Sequence, residues 1–170
     1  MVILALGSNL SSSLGDRFFN IDFAISCLEK NGIKIIKKSS YYETPSYPNN
    51  KHPKFINVVI LAKTDLSPEN LASLLISTEE KIERKRGEKN DPRTCDIDII
   101  DYKNKVIDFN FNKLIFSVPH KNLKHRNFVL FPLNEILPDW KHPESNENVA
   151  TLLNNLPEED RKSILKIKKN

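Results

Sequence analysis

An Asp-x-Asp pair preceded by an arginine is the part of this sequence with the clearest capacity for chemistry. Arg93 precedes Asp96 and Asp98, which open an apolar, β-branched run. Such a run predicts a buried strand, and side chains two positions apart on a strand point to the same face. Two neighbouring carboxylates repel each other unless a proton or a cation lies between them.

The cation best suited to two hard oxygen ligands is Mg²⁺, which proteins usually hold together with substrate phosphates. The planar fork of the Arg93 side chain matches phosphate oxygens. Segment 91–100 therefore predicts a site for phosphate and magnesium. A solvated edge strand with two exposed aspartates is the structural alternative.

The scarcity of arginine strengthens the phosphate interpretation. Of the 26 basic residues, twenty are Lys and six are Arg. Since Lys serves wherever a generic positive charge is enough, an Arg is more often kept for its fork geometry. Four of the six lie in segment 84–93 and at position 126. The formal net charge of +4 also fits an anionic ligand.

The hydrophobic pattern predicts an α+β scaffold for these residues. Apolar segments predict strands at 2–6, 33–43, 55–64 and 96–102, and helices over Phe18–Leu28 and from Ser67 to about Ile82. This order matches a ferredoxin-like βαββαβ sandwich, in which an antiparallel sheet carries two helices on one face. We expect the other face to be open for a ligand.

Extra C-terminal elements follow this core. We expect short strands or loops over 106–131 and a final helix near 158–167. The length and the lack of a linker predict a single domain over 1–170.

The bulk properties narrow the surroundings of the protein. The sequence contains no run of eighteen apolar residues, so we expect no membrane span. The N-terminus lacks the features of a signal peptide. Cys27 and Cys95 lie in a helical pattern and in the acidic strand, so we expect no disulfide and a cytoplasmic location. We also expect a monomer that binds neither nucleic acid nor membrane.

A second set of candidate residues lies on the strand at 55–64. Phe55 and Asn57 share one face of it, and a buried Asn needs hydrogen-bond partners. Its amide can offer a donor and an acceptor to a flat polar heterocycle, with Phe55 stacked on one side and Phe128 on the other. An exposed edge Asn and two core Phe residues are the structural alternative.

Two further segments carry charge close to these candidates. The loop after the second predicted helix contains Arg84 and Arg86 and can act as a lid over a phosphate site, while Glu79 lies at the border of the apolar stripe of that helix. Downstream, His120 and Arg126 precede an apolar run. Solvated surface is the structural alternative for both segments.

Taken together, these motifs resemble the family of 6-hydroxymethyl-7,8-dihydropterin pyrophosphokinases of folate biosynthesis. The resemblance covers roughly residues 2–140. Its markers, in order along the chain, are Gly7-Ser8-Asn9-Leu10, Tyr42-Glu43-Thr44-Pro45, Phe55-Ile56-Asn57, Pro92-Arg93-Thr94-Cys95-Asp96-Ile97-Asp98-Ile99, Val118-Pro119-His120 and Arg126-Asn127-Phe128.

The resemblance implies transfer of the β,γ-pyrophosphoryl group of ATP to the dihydropterin hydroxymethyl group, with release of AMP, in a ferredoxin-like fold. It implies that Asp96 and Asp98 bridge two Mg²⁺ ions. Arg84 and Arg93 would stabilise the transferring group and also contact ATP. The further ATP contacts that it implies are Glu79, Arg86, Ile99, His120 and Arg126. The implied pterin contacts are the backbone of Thr44, Pro45 and Tyr47, the edge-binding Asn57, and the rings of Phe55 and Phe128.

The resemblance also leaves open a larger folate-pathway polypeptide that contains this chain. Two other classes of protein share the predicted topology. A metabolite-binding module would need neither paired aspartates nor a basic lid. An RNA-binding domain would need exposed aromatic residues and a broad basic face, whereas Asp96 and Asp98 make the corresponding strand acidic.

Overall fold

Eight strands and five α-helices lie within the residues that the computed structural model describes, which are 1–47, 50–85 and 91–169. The strands are β1 (Val2–Ser8), β2 (Lys34–Lys38), β3 (Tyr41–Thr44), β4 (Phe55–Lys63), β5 (Asp96–Tyr102), β6 (Ile107–Phe111), β7 (Leu114–Val118) and β8 (Leu165–Ile167). The α-helices are α1 (Arg17–Lys30), α2 (Pro68–Lys81), α3 (Asn127–Ile136), α4 (Val149–Asn154) and α5 (Glu158–Lys162). Within the described part of the chain, no helix has the length and apolar character needed to cross a bilayer.

The main sheet is antiparallel and has the strand order β5–β1–β4–β3–β8, with β2 paired to the other half of β4. Strands β6 and β7 form a separate hairpin. The mixed α/β fold with an antiparallel sheet is thus confirmed, as are the strands predicted near 2–6, 55–64 and 96–102.

Both predicted helices on the first face are present, and local signals explain their bounds. Asp16 accepts a hydrogen bond from the Phe19 N–H of α1 (2.8 Å), and Ser67 accepts one from the Asn70 N–H of α2 (3.2 Å). Gly32 adopts a φ of 85° just after α1, where a left-handed residue ends a helix at low cost.

Alternation along the strands divides the sheet into two faces. Strand β1 sends Val2, Leu4 and Leu6 to the first face, where they join α1 and α2 in one buried cluster. Ile3, Ala5 and Gly7 alternate with them and point to the second face, where Ile3 and Ala5 share a buried cluster with residues of α3 and α4. The expectation of an open second face is therefore wrong for this half of the sheet, because two C-terminal helices bury their apolar residues there.

The strand predicted over 33–43 is two strands. Strand β2 pairs with β4 near Ile60–Lys63, whereas β3 pairs with β4 near Phe55–Asn57. Between them, Ser39 Oγ accepts a hydrogen bond from the Val59 N–H (3.0 Å) and the Ser39 N–H donates to Val59 O (2.9 Å). This serine interrupts the regular ladder and thereby separates the two strands.

The C-terminal predictions need two corrections. Short strands do occupy part of 106–131, but helix α3 already begins at Asn127; its near-continuous apolar run and its internal Pro132 hide the helical period. The helix predicted near 158–167 ends at Lys162, and Leu165–Ile167 form strand β8. Pairing with the edge of β3 provides backbone hydrogen bonds that outweigh the local helical pattern.

Candidate functional site

The two aspartates of β5 lie side by side on the second face, beyond the part that α3 and α4 cover. Asp96 Oδ1 lies 3.0 Å from Arg84 Nη1, and Asp96 Oδ2 lies 2.9 Å from Arg93 Nε. The Arg93 contact is ionic and is not aligned as a hydrogen bond. The side chain of Asp96 is 29% exposed, so this carboxylate is accessible to a ligand although two guanidinium groups neutralise it.

Asp98 forms a matching arrangement with an arginine from another element. Its Oδ2 accepts a hydrogen bond from Arg126 Nη1 at 2.5 Å, and the Arg126 guanidinium lies over the ring of Phe128, 5.4 Å from its centroid. On the Asp96 side, the Arg93 guanidinium lies 5.1 Å from the ring centroid of Phe55. Each carboxylate thus has an arginine that also stacks on an aromatic ring.

Arg84 is held in place by contacts at both ends. Its backbone N–H donates to Glu79 O at 3.1 Å, and its guanidinium donates to the carbonyl oxygen of Cys95 as well as to Asp96. The structure therefore brings Arg84 to the predicted phosphate site. Arg86 and the central part of the predicted lid, residues 86–90, lie outside the described residues.

Glu79 supports the site from within the protein core. It is 4% exposed, and its Oε1 accepts a hydrogen bond from the Ile97 N–H at 2.8 Å. Because Ile97 lies between the two aspartates, this bond fixes the backbone that carries them.

Burial, with the charges of Glu79 and Asp96, raises the pKa of the Cys95 thiol well above its usual value, so that thiol stays protonated.

A cleft of about 440 Å³ lies beside the aspartates, between α2, β5 and the β7 hairpin strand. This volume falls in the range of small-molecule sites. Five residues that were predicted to contact ATP or its metal line this cleft: Glu79, Asp96, Asp98, Ile99 and His120.

His120 follows the cis Val118–Pro119 peptide bond at the mouth of this cleft. Burial lowers the pKa of His120; the charge of Asp98 opposes this shift and that of Arg126 adds to it. Its Nδ1 accepts a hydrogen bond from the Asn122 N–H (3.1 Å). A neutral ring with Nδ1 as acceptor carries its proton on Nε2, which makes this nitrogen available as a hydrogen-bond donor.

Asn57 and Thr44 form the neighbouring polar part of the second face. Asn57 is buried, and its Nδ2 donates to Tyr42 O (3.2 Å) and Thr44 Oγ1 (3.0 Å). Among the described residues none donates to Asn57 Oδ1, so this oxygen is the atom that the amide can offer as an acceptor. Phe55 lies two residues before Asn57, on the same face.

The two other predicted pterin contacts lie on the loop after β3. Pro45 is exposed, and the Tyr47 side chain is 87% exposed. Their side chains are therefore directed to solvent, which is compatible with backbone contacts only. The next two residues, 48–49, lie outside the described range.

Gly7 is a site residue whose role the sequence analysis did not assign. It pairs with Asn57 on one side and with Asp96 on the other, so it lies between the two halves of the site. A Cβ at this position would lie 3.4 Å from Asn57 Oδ1 and 3.5 Å from Phe55 Cδ1. The absence of a side chain leaves the floor of the site open. The predicted strand ended at residue 6, whereas β1 continues through Gly7 to Ser8, and a Gly inside a strand often marks a close approach of a ligand.

Asn9 is a second residue without an assigned role. It is 2% exposed, its Oδ1 accepts from the Arg93 N–H (2.6 Å), and its Nδ2 donates to Ser46 Oγ (3.1 Å) and Pro53 O (3.0 Å). It therefore ties the arginine segment to the loop after β3. A short polar side chain directly after a buried strand was the available signal.

The donor set of the site fits a cation shared with phosphates better than a cation held by protein alone. Within the described residues, no group of three or more His, Cys, Asp and Glu side chains is arranged to hold a metal. Two carboxylates on one face are nevertheless what a Mg²⁺ ion needs when phosphate oxygens and water complete its shell.

The sequence model of the family described as 7,8-dihydro-6-hydroxymethylpterin-pyrophosphokinase (HPPK) matches residues 3–138. The chain belongs to this family, and the resemblance drawn from the motifs is confirmed. A 2-amino-4-hydroxy-6-hydroxymethyldihydropteridine pyrophosphokinase of Aquifex aeolicus is 39% identical over 84% of this chain and 83% of its own length. A protein of the same name from Synechocystis sp. is 33% identical over 89% of this chain and 73% of its own length.

Other relatives are much longer. The folic acid synthesis protein fol1 of Schizosaccharomyces pombe is 34% identical over 91% of this chain, which spans 20% of that protein. Among solved structures, Plasmodium falciparum HPPK-DHPS with pteroate superposes with a TM-score of 0.72 at 17% identity, over 90% of this chain and 43% of that one. The structural similarity supports the fold.

Proposed function

We propose that this protein transfers pyrophosphate from ATP to 6-hydroxymethyl-7,8-dihydropterin and releases AMP, as a step of folate biosynthesis. Membership of the HPPK family supports this reaction. The observation that carries it is the pair of same-face aspartates, each bound to an arginine that stacks on an aromatic ring. This arrangement combines phosphate-binding groups with two rings that can hold a flat heterocycle.

The reaction is a displacement at the β-phosphorus of ATP. The hydroxymethyl oxygen of the pterin forms the new bond to this phosphorus, and the bond to the oxygen bridging it to the α-phosphorus breaks. AMP leaves with that bridging oxygen, and the hydroxyl proton passes to solvent or to a nearby base. Such a transfer needs in-line positioning and charge neutralisation more than covalent help from the protein.

The phosphate half of the site supplies charge neutralisation. Asp96 and Asp98 would hold two Mg²⁺ ions, which neutralise phosphate oxygens when bound. Arg84 and Arg93 already lie against Asp96 and can turn their remaining N–H groups to the transferring phosphates. Arg126 and the neutral His120 donate from the opposite wall.

The remaining ATP contacts have different roles. Glu79 acts through the Ile97 N–H and so positions the aspartates, and Ile99 lines the cleft. Arg86 is retained as an ATP contact on the family resemblance alone.

The pterin half of the site supplies recognition. Phe55 and Phe128 would hold the ring between them, at a gain typical of base–aromatic stacking of about 1–3 kcal/mol per ring. Asn57 Oδ1 would accept from the edge of the pterin, since its Nδ2 is engaged by Tyr42 and Thr44. The backbone of Thr44, Pro45 and Tyr47 would provide the other polar contacts.

The same proposal includes the fold topology, the domain organisation and the cellular environment. The order β5–β1–β4–β3 with α1 and α2 on one face supports a ferredoxin-like βαββαβ core with extra C-terminal elements. We assign residues 1–170 to one monomeric domain, and the longer relatives support its occurrence within larger folate-pathway polypeptides. Two free, buried cysteines support a reducing, cytoplasmic environment.

The decisive experiment measures AMP release from ATP and Mg²⁺ with and without 6-hydroxymethyl-7,8-dihydropterin. We expect AMP only when the pterin is present. Arg93→Ala should slow turnover by about two to three orders of magnitude, because it removes a donor aimed at transition-state charge, while pterin affinity changes much less.

Three other outcomes are informative. AMP formed equally without pterin would indicate water as the acceptor and would contradict the proposal. ATP binding without AMP would indicate a different acceptor. No binding of ATP and Mg²⁺ at all would favour a metabolite-binding module over an enzyme.

A further inference from the structure

Residues 158–167 lie after the part of the chain that matches the family, but they contact elements of the candidate site. The HPPK match ends at residue 138, yet residues 158–167 contact two elements that carry site residues. One is the first turn of α3, which bears Phe128 and follows Arg126. The other is strand β3, which bears Tyr42 and Thr44.

The contact with α3 runs through Asn127. This residue is 8% exposed, and its Nδ2 donates to Asp160 O (2.6 Å) and to Ser163 Oγ (3.0 Å). Helix α3 has no side-chain cap at its start. The bond to the C-terminal segment therefore holds the turn in which Arg126 and Phe128 flank Asn127.

The contact with β3 is a strand pairing. Residues Leu165–Ile167 of β8 pair with Tyr41–Glu43, while the opposite edge of β3 pairs with Phe55–Asn57. Strand β3 thus lies between β8 and the strand that carries Phe55 and Asn57.

A side-chain network joins these two contacts. Lys166 Nζ of β8 lies 3.0 Å from Glu135 Oε1 of α3, and Glu135 Oε2 accepts from Tyr42 Oη of β3 at 2.9 Å. Burial acts to raise the pKa of Glu135, but hydrogen bonds from Ser40, Lys166 and Tyr42 lower it overall. The carboxylate is therefore charged at neutral pH and binds all three elements together.

We infer that residues 158–167 form a clamp that fixes the α3 wall of the pterin site relative to the β3 wall. Asn127 is its positioning residue: it does not touch the ligand, but its bond to Asp160 places Arg126 and Phe128 opposite Phe55 and Asn57. The ligand-binding consequence rests on the proposed function, whereas the mechanical link between the two walls does not.

The test compares Asn127→Ala with Asn148→Ala as a matched control. Asn148 is an asparagine of the C-terminal region whose Oδ1 caps α4 by accepting from the Thr151 N–H (2.7 Å), away from β3. Both changes remove one side-chain amide: that of Asn127 makes two hydrogen bonds to the C-terminal segment, and that of Asn148 makes one bond within the first turn of its own helix. Both changes are therefore expected to lower stability. Only the first releases the clamp.

The first measurement is hydrogen–deuterium exchange of the protein without ligand. We expect Asn127→Ala to speed exchange of the Tyr41–Thr44 and Phe128–Leu130 amides roughly fivefold to tenfold, because the two hydrogen bonds of this amide are lost. Exchange of the β4 amides at 58–61 should stay unchanged, as should that of both walls in Asn148→Ala. Unchanged exchange at Tyr41–Thr44 in Asn127→Ala would overturn the clamp.

The second measurement is the pterin dissociation constant in the presence of a non-hydrolysable ATP analogue, at a temperature where every variant is folded. Asn127→Ala should weaken pterin binding about fivefold to tenfold, and Asn148→Ala less than about twofold. Faster exchange with unchanged pterin affinity would overturn the role in positioning and leave Asn127 with a structural one. A wild-type protein that binds no pterin would contradict the proposed function, while the exchange data would still decide the clamp.

Discussion

The two ends of the second sheet face are built from the same strands but serve different purposes. At one end, Ile3, Val59 and Ile100 pack under α3 and α4. At the other end, Gly7, Asn57 and Asp96 occupy equivalent positions of β1, β4 and β5. The alternation of side chains is the same throughout. Coverage by helices makes one end a core, whereas the other end carries the polar residues of the candidate site.

Strand β5 shows this contrast most directly. Asp98 is partly exposed and paired with Arg126. Asp101, three residues later, is buried and accepts from Trp140 Nε1 (2.8 Å) and the Asn104 N–H (2.8 Å). One carboxylate of the strand belongs to the candidate site, and the other satisfies buried donors at the covered end.

The largest expected effect separates these two carboxylates. Asp98→Asn should lower kcat by about three orders of magnitude or more, because a metal-holding and arginine-binding charge is lost, with little change in the free energy of unfolding. Asp101→Asn should lower the free energy of unfolding by about 1–3 kcal/mol and leave kcat near that of the wild type. AMP release and urea unfolding measure the two effects. Equal kinetic losses in both variants would remove the distinction between the two ends.

A pair of truncations tests the apolar part of the comparison. Ile100→Ala should lower the free energy of unfolding by about 2–5 kcal/mol, since Ile100 is fully buried under the helices. Phe55→Ala should cost less stability but weaken pterin binding by roughly tenfold to a hundredfold, because a stacking ring is lost. Urea unfolding together with pterin titration compares them. A Phe55→Ala variant with unchanged pterin affinity would contradict the assignment of this ring.

The smallest effect concerns two small residues of β1. Gly7→Ala should raise the pterin KM roughly threefold to tenfold by filling the floor of the site, while stability stays equal or rises by up to about 0.5 kcal/mol. Ala5→Gly, at the covered end, should lower stability by about 0.5–1 kcal/mol without changing this KM. A reversed pattern, with KM affected only by Ala5→Gly, would place the ligand elsewhere.

Local patterns were sufficient to predict much of the site. The spacing of Asp96 and Asp98 predicts a shared face because strand geometry has a period of two, and the same rule joins Phe55 to Asn57. Capping residues and apolar stripes predict α1 and α2. These features depend on residues that are close in the sequence, so a single sequence is enough to predict them.

Other features depend on contacts between distant segments. The pairing of Arg126 with Asp98 joins residues 28 positions apart. The sequence did not predict that helices cover one half of the second face, because the helical period of α3 is obscured in its apolar run. Strand β8 was missed because its conformation is decided by the edge of β3 and not by its own residues.

The sequence by itself therefore determined the order of the main elements, the face on which the aspartates lie and, through its motifs, the family. Only the tertiary structure decided which end of that face is buried, which arginine meets which carboxylate, and how the C-terminal segment holds β3 and α3. The physical reason is that backbone geometry and capping act over a few residues, whereas helix packing, ion pairing and strand pairing depend on which surfaces the folded chain brings together.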